Sequence, residues 1–183
     1  KWFAVAEKSE VNDPTALSLA TSSSDGIPSV RMVLLKGLSD SGFVFYTNSG
    51  SKKADDLKNN PNASMCFHWK SIRRQIRVSG KISSVDKEEA DKYFSSRDYG
   101  SKISAWASSQ SKVMKNRKEL LDKIKEFEKK FPDKNNVPRP PHWSGWRITP
   151  NEIEFWLEVK NRSHERLNYR KENGKWIKEV LYP

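Results

Sequence analysis

Residues Ala16–Lys36 read ALSLATSSSDGIPSVRMVLLK. Apolar and small polar residues alternate over Ala16–Ser22, SSDGIP supplies turn chemistry, and strand character resumes over Ser29–Lys36. The stretch therefore predicts a β-hairpin. In its second arm, side chains alternate between faces, so Arg31 and Val33 share one face while Met32, Leu34 and Lys36 share the other. A cation stands at each end of an apolar strand, either reaching solvent along its stem or waiting for an anion. Beyond the SDSG turn, Phe43–Asn48 (FVFYTN), Ala63–Trp69 and Gln75–Val85 continue the β pattern. These strands predict a meander or small barrel.

The middle changes period. Lys87–Ser95 and Val113–Phe131 carry apolar residues at helical spacing, with Leu120, Leu121, Ile124, Phe127 and Phe131 as the core-facing stripe of the second helix. PDKNNVPRPPHWSG reads as a loop, after which Trp146–Thr149, Ile153–Val159, Glu165–Tyr169 and Trp176–Leu181 read as strands. The expected class is mainly β with helices (α+β), in one domain over 1–183, the terminal strands completing the first sheet. The opening residues KWFAVAEK resemble the end of an amphipathic helix, which leaves room for a targeting segment upstream.

The chain has 183 residues, enough for a hydrophobic core. Its 34 Lys and Arg against 23 Asp and Glu give a net charge of +11, which favours anionic partners: nucleic acid, acidic lipid or phosphorylated small molecules. Cys66 is the only cysteine, which rules out an internal disulfide framework and points to a reducing, cytoplasmic setting. No apolar run reaches membrane-spanning length. No metal-ligand spacing, Gly-rich phosphate loop or Ser-His-Asp order stands out, and His68 and His142 read as structural.

Several segments carry chemistry that an anion would satisfy. Ser51 can cap a helix whose first turn holds Lys52 and Lys53; the lysines oppose the helix dipole unless an anion sits there, or they are simply solvated. Gln75 offers an amide to a heteroaromatic edge, or is a half-exposed strand residue. Tyr93, Arg97 and Ser101 recur at four-residue intervals and would align as a phosphate clamp if one helix carried all three, which Gly100 opposes. In Asn161–Arg170 (NRSHERLNYR), strand alternation would crowd Arg162, His164 and Arg166 on one face. That face is either a solvated edge or a site for negative charge.

Taken in order, DPTA, SVRMVLLKG, GFVFYTN, GSKKA, NPNAS, RQIRVSGK, YFSSR, SKISAWASSQS, EIEFW and NRSHER resemble the pyridoxine (pyridoxamine) 5′-phosphate oxidase family over nearly the whole chain. The resemblance implies an FMN-binding split β-barrel that works as a homodimer, with FMN at the subunit interface. It implies FMN contacts from Arg31, Met32, Val33, Leu34, Leu35, Lys36, Tyr46, Thr47, Lys52, Lys53, Gln75, Gln110, Ser111, Trp156 and Arg166. Lys36, Tyr93, Arg97 and Ser101 would hold the vitamer phosphate. Arg162 and His164 would close over its ring as catalytic residues. The implied reaction passes a hydride from C4′ of pyridoxine or pyridoxamine 5′-phosphate to FMN, with oxygen as final acceptor and hydrogen peroxide as by-product; with the amine, the imine is hydrolysed to pyridoxal 5′-phosphate and ammonia.

Four positions depart from the family pattern. Leu157 and Glu158 stand where it usually reads Gln-Gly, Ser163 where it has Leu, and Lys52 where Arg is common and would offer a bidentate fork. Two other readings compete with an oxidase. A split-barrel protein that binds FMN or pyridoxal phosphate without turnover would be yellow yet inert towards substrate. A basic nucleic-acid-binding module would be colourless, with salt-sensitive binding to oligonucleotides. The scattered Trp and Arg residues make no single basic aromatic stripe, which disfavours the module and any nucleic-acid or membrane partner.

Overall fold

In the computed structural model, which describes residues 1–183, the expected hairpin forms from β1 (Ala16–Ser22) and β2 (Pro28–Leu34). They pair antiparallel, with Ala16 opposite Leu34 and Ser22 opposite Pro28. Gly26 takes φ +82°, a left-handed position that glycine adopts without strain, and closes the turn. Leu17, Leu19 and Thr21 are buried along β1, while Val30, Met32 and Leu34 face outward on β2, so the alternation read from the sequence holds on both arms.

The remaining strands are β3 (Gly37–Ser39), β4 (Gly42–Asn48), β5 (Asn62–Trp69), β6 (Arg74–Ser84), β7 (Trp143–Leu157), β8 (Glu165–Glu172) and β9 (Lys175–Leu181). They make a nine-stranded sheet in the order β2-β1-β5-β6-β7-β4-β3, with β8 and β9 continuing from β7. A C-terminal strand thus enters among the N-terminal ones, as expected. β7 is one strand of 15 residues, where the sequence suggested two short ones. Pro150 lies within it, although proline cannot donate to a ladder. Neighbours on both sides hold the strand together instead. A Cβ on Gly80 would lie 2.1 Å from the Thr149 carbonyl oxygen, and one on Gly42 would lie 2.0 Å from that of Ile148. Both flanking strands approach the β7 backbone more closely than any side chain would allow.

The helices are α1 (Trp2–Ser9), α2 (Lys52–Asn59), α3 (Lys87–Ser95), α4 (Tyr99–Ala107) and α5 (Arg117–Lys130). None is long and apolar enough to cross a membrane. Packing divides the chain into two units. The first comprises Lys1–Phe45, Asp56–Ser83 and Arg147–Pro183; the second comprises Tyr46–Asp55 and Ser84–Trp146. The first unit holds most of the sheet around Leu17, Leu19, Phe45, Met65, Phe67, Val78 and Ile148, all nearly inaccessible to solvent. Each such side chain contributes about 1.5–3 kcal/mol by leaving water. Helix α1 packs here too, with Trp2 edge-on to Phe155 and Phe3 edge-on to Phe67.

The second unit packs α3, α4 and α5 around Phe94, Ile103, Val137 and Trp143. Ile124, Phe127 and Phe131 join this cluster as the stripe predicted, but Leu121 is exposed. Helix α5 also starts four residues later than expected. Asn116 caps it by accepting from the Glu119 amide, and Val113 is fully exposed in the turn before it.

Candidate functional site

In the second unit, β4 ends in Tyr46-Thr47-Asn48 and the chain turns into α2 through Ser51, whose hydroxyl accepts from the Ala54 amide as the expected N-cap. The two lysines after it behave differently. Lys52 is exposed, whereas Lys53 is only 9% exposed and its Nζ donates to Thr47 Oγ1 (3.1 Å), Ser51 Oγ (3.4 Å) and Gln110 Oε1 (2.7 Å). An ammonium has three donors, and these oxygens make its burial tolerable. Thr47 itself donates to Gln110 Oε1 at 3.0 Å. Thr47 and Lys53, six residues apart, therefore share one polar corner with Gln110 from a distant segment. Ser111 follows with φ +70° in the turn after α4.

Tyr93, Arg97 and Ser101 do not lie on one helix. Helix α3 stops at Ser95, and Asp98 starts α4 by accepting from the Ser101 amide at 2.9 Å. The break places Tyr93 in the last turn of one helix, Arg97 in the link and Ser101 in the first turn of the next. Hydrogen bonds from the Ser101 hydroxyl and amide hold the Asp98 carboxyl below its usual range. Tyr46, Tyr93 and Trp143 stack nearly parallel, with centroids 4.1 Å apart for the two tyrosines and 5.1 Å for Tyr46 and Trp143. The Arg97 guanidinium lies over Trp143 at 4.9 Å. Its Nη1 is buried without a hydrogen-bond partner. Burial pushes the Arg97 pKa down, against the pull of Tyr93 and Asp98, and burial pushes the Tyr93 phenol up. A buried donor without an acceptor, on a cation short of solvent, is a place for an anion.

In the first unit, the strand expected from Glu165 forms, but the alternation considered for NRSHER does not extend back over the residues before it. Lys160–Arg162 forms a 3-10 turn in which Asn161 and Arg162 take φ +58° and +62°, and β8 begins only at Glu165. Arg162 is therefore off the strand and exposed, so strand alternation does not align it with His164 and Arg166. His164 lies 4.6 Å from Trp156, and its Nδ1 faces the Val159 amide at 3.2 Å. With Nδ1 accepting, the neutral ring carries its proton on Nε2 and presents it as a donor.

Arg166 has an anion within the chain. Its Nε and Nη2 donate to the two oxygens of Glu154 at 3.0 and 2.9 Å, and its Nη1 donates to the Tyr182 carbonyl at 2.9 Å. Arg77 binds the same carboxylate from β6. Burial alone would raise the Glu154 pKa, but the hydrogen bonds from Arg166 and Arg77 hold it below the ordinary range. The same hydrogen bond raises Arg166. A cavity of about 590 Å³ opens beside these groups, lined by Trp2, Phe155, Leu157, His164, Arg166 and Val180 among others. Leu157, one of the departures noted above, thus faces the same space as two candidate residues.

The hairpin candidates are in the first unit. Arg31 donates from Nη1 to Thr21 Oγ1 (2.7 Å) and from Nη2 to Ser29 Oγ (2.6 Å), with Asp56 at 3.8 Å. Thr21 in turn donates to Asp56 at 2.7 Å. Burial lowers the Arg31 pKa, opposed by Asp56. Leu35 is buried, Val33 and Gln75 are half-buried, and Met32, Leu34 and Lys36 are exposed. Sequence reasoning missed Glu154, Asp56 and Trp143. For Glu154 a signal existed: an acidic residue stands among apolar ones in EIEFW, on a strand next to one rich in arginine. Nothing local marked Trp143 or Asp56.

Residues 5–131 match the protein family described as "Pyridoxamine 5'-phosphate oxidase", and residues 143–183 match "Pyridoxine 5'-phosphate oxidase C-terminal dimerisation region". A "Pyridoxine/pyridoxamine 5'-phosphate oxidase" from Pelagibacter ubique is 56% identical over 183 residues, covering 100% of this chain and 88% of the relative. Another of that name, from Agrobacterium fabrum, is 48% identical over 185 residues, covering 100% and 89%. Among solved structures, PhzG from Burkholderia lata, in complex with tetrahydrophenazine-1-carboxylic acid, superposes with a TM-score of 0.94 at 33% identity, covering 100% of this chain and 89% of that one. An FMN-binding protein related to pyridoxamine 5′-phosphate oxidase, from Nostoc punctiforme, shares the fold with a TM-score of 0.78 at 18% identity, covering 100% and 94%.

Proposed function

The chain belongs to the pyridoxamine 5′-phosphate oxidase family, and from that premise we propose that it is an FMN-dependent oxidase converting pyridoxine or pyridoxamine 5′-phosphate to pyridoxal 5′-phosphate, with O2 reduced to H2O2. The observation that carries the reading is the buried Arg97 Nη1 with no partner, set between Tyr93 and Ser101 in sequence. A phosphate ester supplies the counter-charge that this guanidinium lacks, and a charge-assisted bond to a guanidinium is among the stronger contacts available. The C-terminal dimerisation region supports a homodimer.

Bound FMN would supply the two-electron chemistry, accepting a hydride from C4′ and passing the electrons to oxygen. The chain's own residues bind and orient. Lys53 would exchange one of its acceptors, Thr47, Ser51 or Gln110, for the FMN phosphate, together with Lys52 and Ser111. Arg31 to Lys36, Tyr46, Gln75, Trp156 and Arg166 complete the cofactor contacts. Lys36, Tyr93, Arg97 and Ser101 take the vitamer phosphate. His164 offers its Nε2 proton to the substrate ring, and Arg162 closes beside it; both act by positioning C4′.

The test is an absorbance spectrum of the purified protein followed by anaerobic addition of pyridoxine 5′-phosphate. Flavin absorbance should bleach, then return with peroxide when air is admitted. FMN-bound protein that never forms the aldehyde would sink the oxidase reading and favour binding without turnover. Leu157, facing the cavity with His164 and Arg166, gives that alternative its footing. For the cofactor itself, Lys53→Met should weaken FMN binding about tenfold, the scale of one lost charged hydrogen bond. Titration by flavin fluorescence measures it, and an unchanged Kd would make Lys53 a packing lysine only.

A further inference from the structure

Trp143 opens β7 and is 6% exposed, within the core cluster of the second unit. Filling a core is the plain role of such a residue, and leucine or methionine would fill it as well. Three contacts go beyond filling. The indole face carries the Arg97 guanidinium at 4.9 Å, with Phe94 adding a second ring at 5.6 Å. Tyr46 stacks on the indole at an interplanar angle of 6°, and Tyr93 lies parallel at 7°. The Trp143 backbone is also fixed: its carbonyl accepts from Arg139 Nη1 at 2.5 Å, while Arg139 Nε donates to Asp91 at 2.6 Å on α3, the helix that carries Tyr93. Gly145 leaves room for this stack, since a Cβ there would lie 2.6 Å from the Tyr46 ring.

We propose that Trp143 is a positioning residue for phosphate-ester recognition, holding the half-buried Arg97 guanidinium over the indole, with Nη1 packed away from solvent, so that the unpaired cation is presented to a phosphomonoester oxygen. The physical case is one of preorganisation. An arginine has many rotamers, and in water its fork would be solvated; against an aromatic face the plane is fixed and the attraction persists without a hydrogen bond. A free donor that neither water nor protein satisfies gains most when an anion arrives. Selectivity for phosphorylated over unphosphorylated vitamers would then depend on the indole as well as on the arginine. The identity of the ligand rests on the oxidase reading above; the dependence of phosphate binding on Trp143 does not.

The experiment uses the FMN-loaded protein and its Trp143→Leu and Trp143→Phe variants. It measures KM and kcat for pyridoxine 5′-phosphate, and Kd for pyridoxal 5′-phosphate, for inorganic phosphate and for unphosphorylated pyridoxal. Trp143→Leu should raise KM and both phosphate-dependent Kd values about tenfold, the scale of a desolvated cation–π contact. Trp143→Phe, which keeps a ring face, should raise them about threefold. Pyridoxal binding and FMN affinity should stay within about twofold, and kcat should fall far less than KM rises. If Trp143→Leu fails to fold, the Phe variant decides by the same contrast. Phosphate affinities equal to wild type, or equal weakening of pyridoxal and its phosphate, would overturn the proposal while turnover keeps the oxidase reading standing. Phosphate binding that depends on Trp143 in a protein without turnover would do the reverse. A wild type that binds neither phosphate would remove both.

Discussion

Arg97→Leu is expected to raise the KM for pyridoxine 5′-phosphate about a hundredfold, while the folded protein loses no stability. The two halves of that result come from one feature. In the structure the half-buried guanidinium lies over Trp143 and Phe94, with Nη1 buried and unbonded. Removing an unsatisfied buried donor costs the fold little and can help it, because its desolvation penalty disappears. On the proposed reading, removing a cation that meets a phosphate costs about 1.5–3 kcal/mol per charged hydrogen bond, which is where the hundredfold comes from. Arg97→Lys should recover part of the loss, since it keeps the charge and loses the planar fork. Steady-state kinetics with a thermal melt of the same preparation would check both halves. A melting temperature that falls while KM holds would make Arg97 a structural residue and withdraw it from the site.

Glu154→Ala should destabilise the protein by about 3 kcal/mol, the low end expected when one partner of a buried ion pair is removed. Glu154 is 4% exposed and its carboxylate takes two bonds from Arg166 as well as the contact from Arg77. Without it, Arg166 remains among the groups facing the cavity with no counter-charge. The low end applies because the Arg77 side chain is 53% exposed, so water compensates that half of the arrangement. Glu154→Gln should lose less, since the amide oxygen can still accept from Arg166.

The pH dependence follows from the direction of the Glu154 shift. Its pKa is held below the ordinary carboxyl value in the folded protein, so the stability it contributes is present above that ordinary value. It is lost as pH falls through the lower, folded value. Wild type should lose stability on the acid side of about pH 4.5, and Glu154→Gln should show a flatter acid limb. Chemical denaturation at pH 7 and at pH 4 would measure this. Equal slopes for wild type and variant would mean that the carboxylate is not held by the two arginines in solution.

How far the sequence could be read depended on whether the deciding interactions were local. The hairpin over Ala16–Leu34, the helix Lys87–Ser95 and the stripe of Ile124, Phe127 and Phe131 were legible because period and turn chemistry are set within a few residues. The full length of β7 was not legible, because the neighbours that hold it together across Pro150 come from β4 and β6. The place of Arg162 was not legible for a related reason: the chain turns through two left-handed residues before β8 begins, so strand alternation does not reach it. The even spacing of Tyr93, Arg97 and Ser101 would align them only on one helix, which Gly100 opposed; the break falls at Asp98, which starts a new helix that includes Gly100.

By its own pattern, then, the sequence determined a mainly β chain with a helical middle, an excess of positive charge, and clusters of cations and hydroxyls that either meet solvent or favour an anion. Those properties are written in composition and short-range order. Only the tertiary structure decided which cations are already answered and which are not. Lys53 finds Thr47, Ser51 and Gln110, Arg166 finds Glu154, and Arg31 finds Thr21 with Asp56 close by, whereas one nitrogen of Arg97 finds nothing. Partners that are distant along the chain become neighbours only on folding, and whether a buried charge is satisfied depends on those neighbours rather than on its own segment.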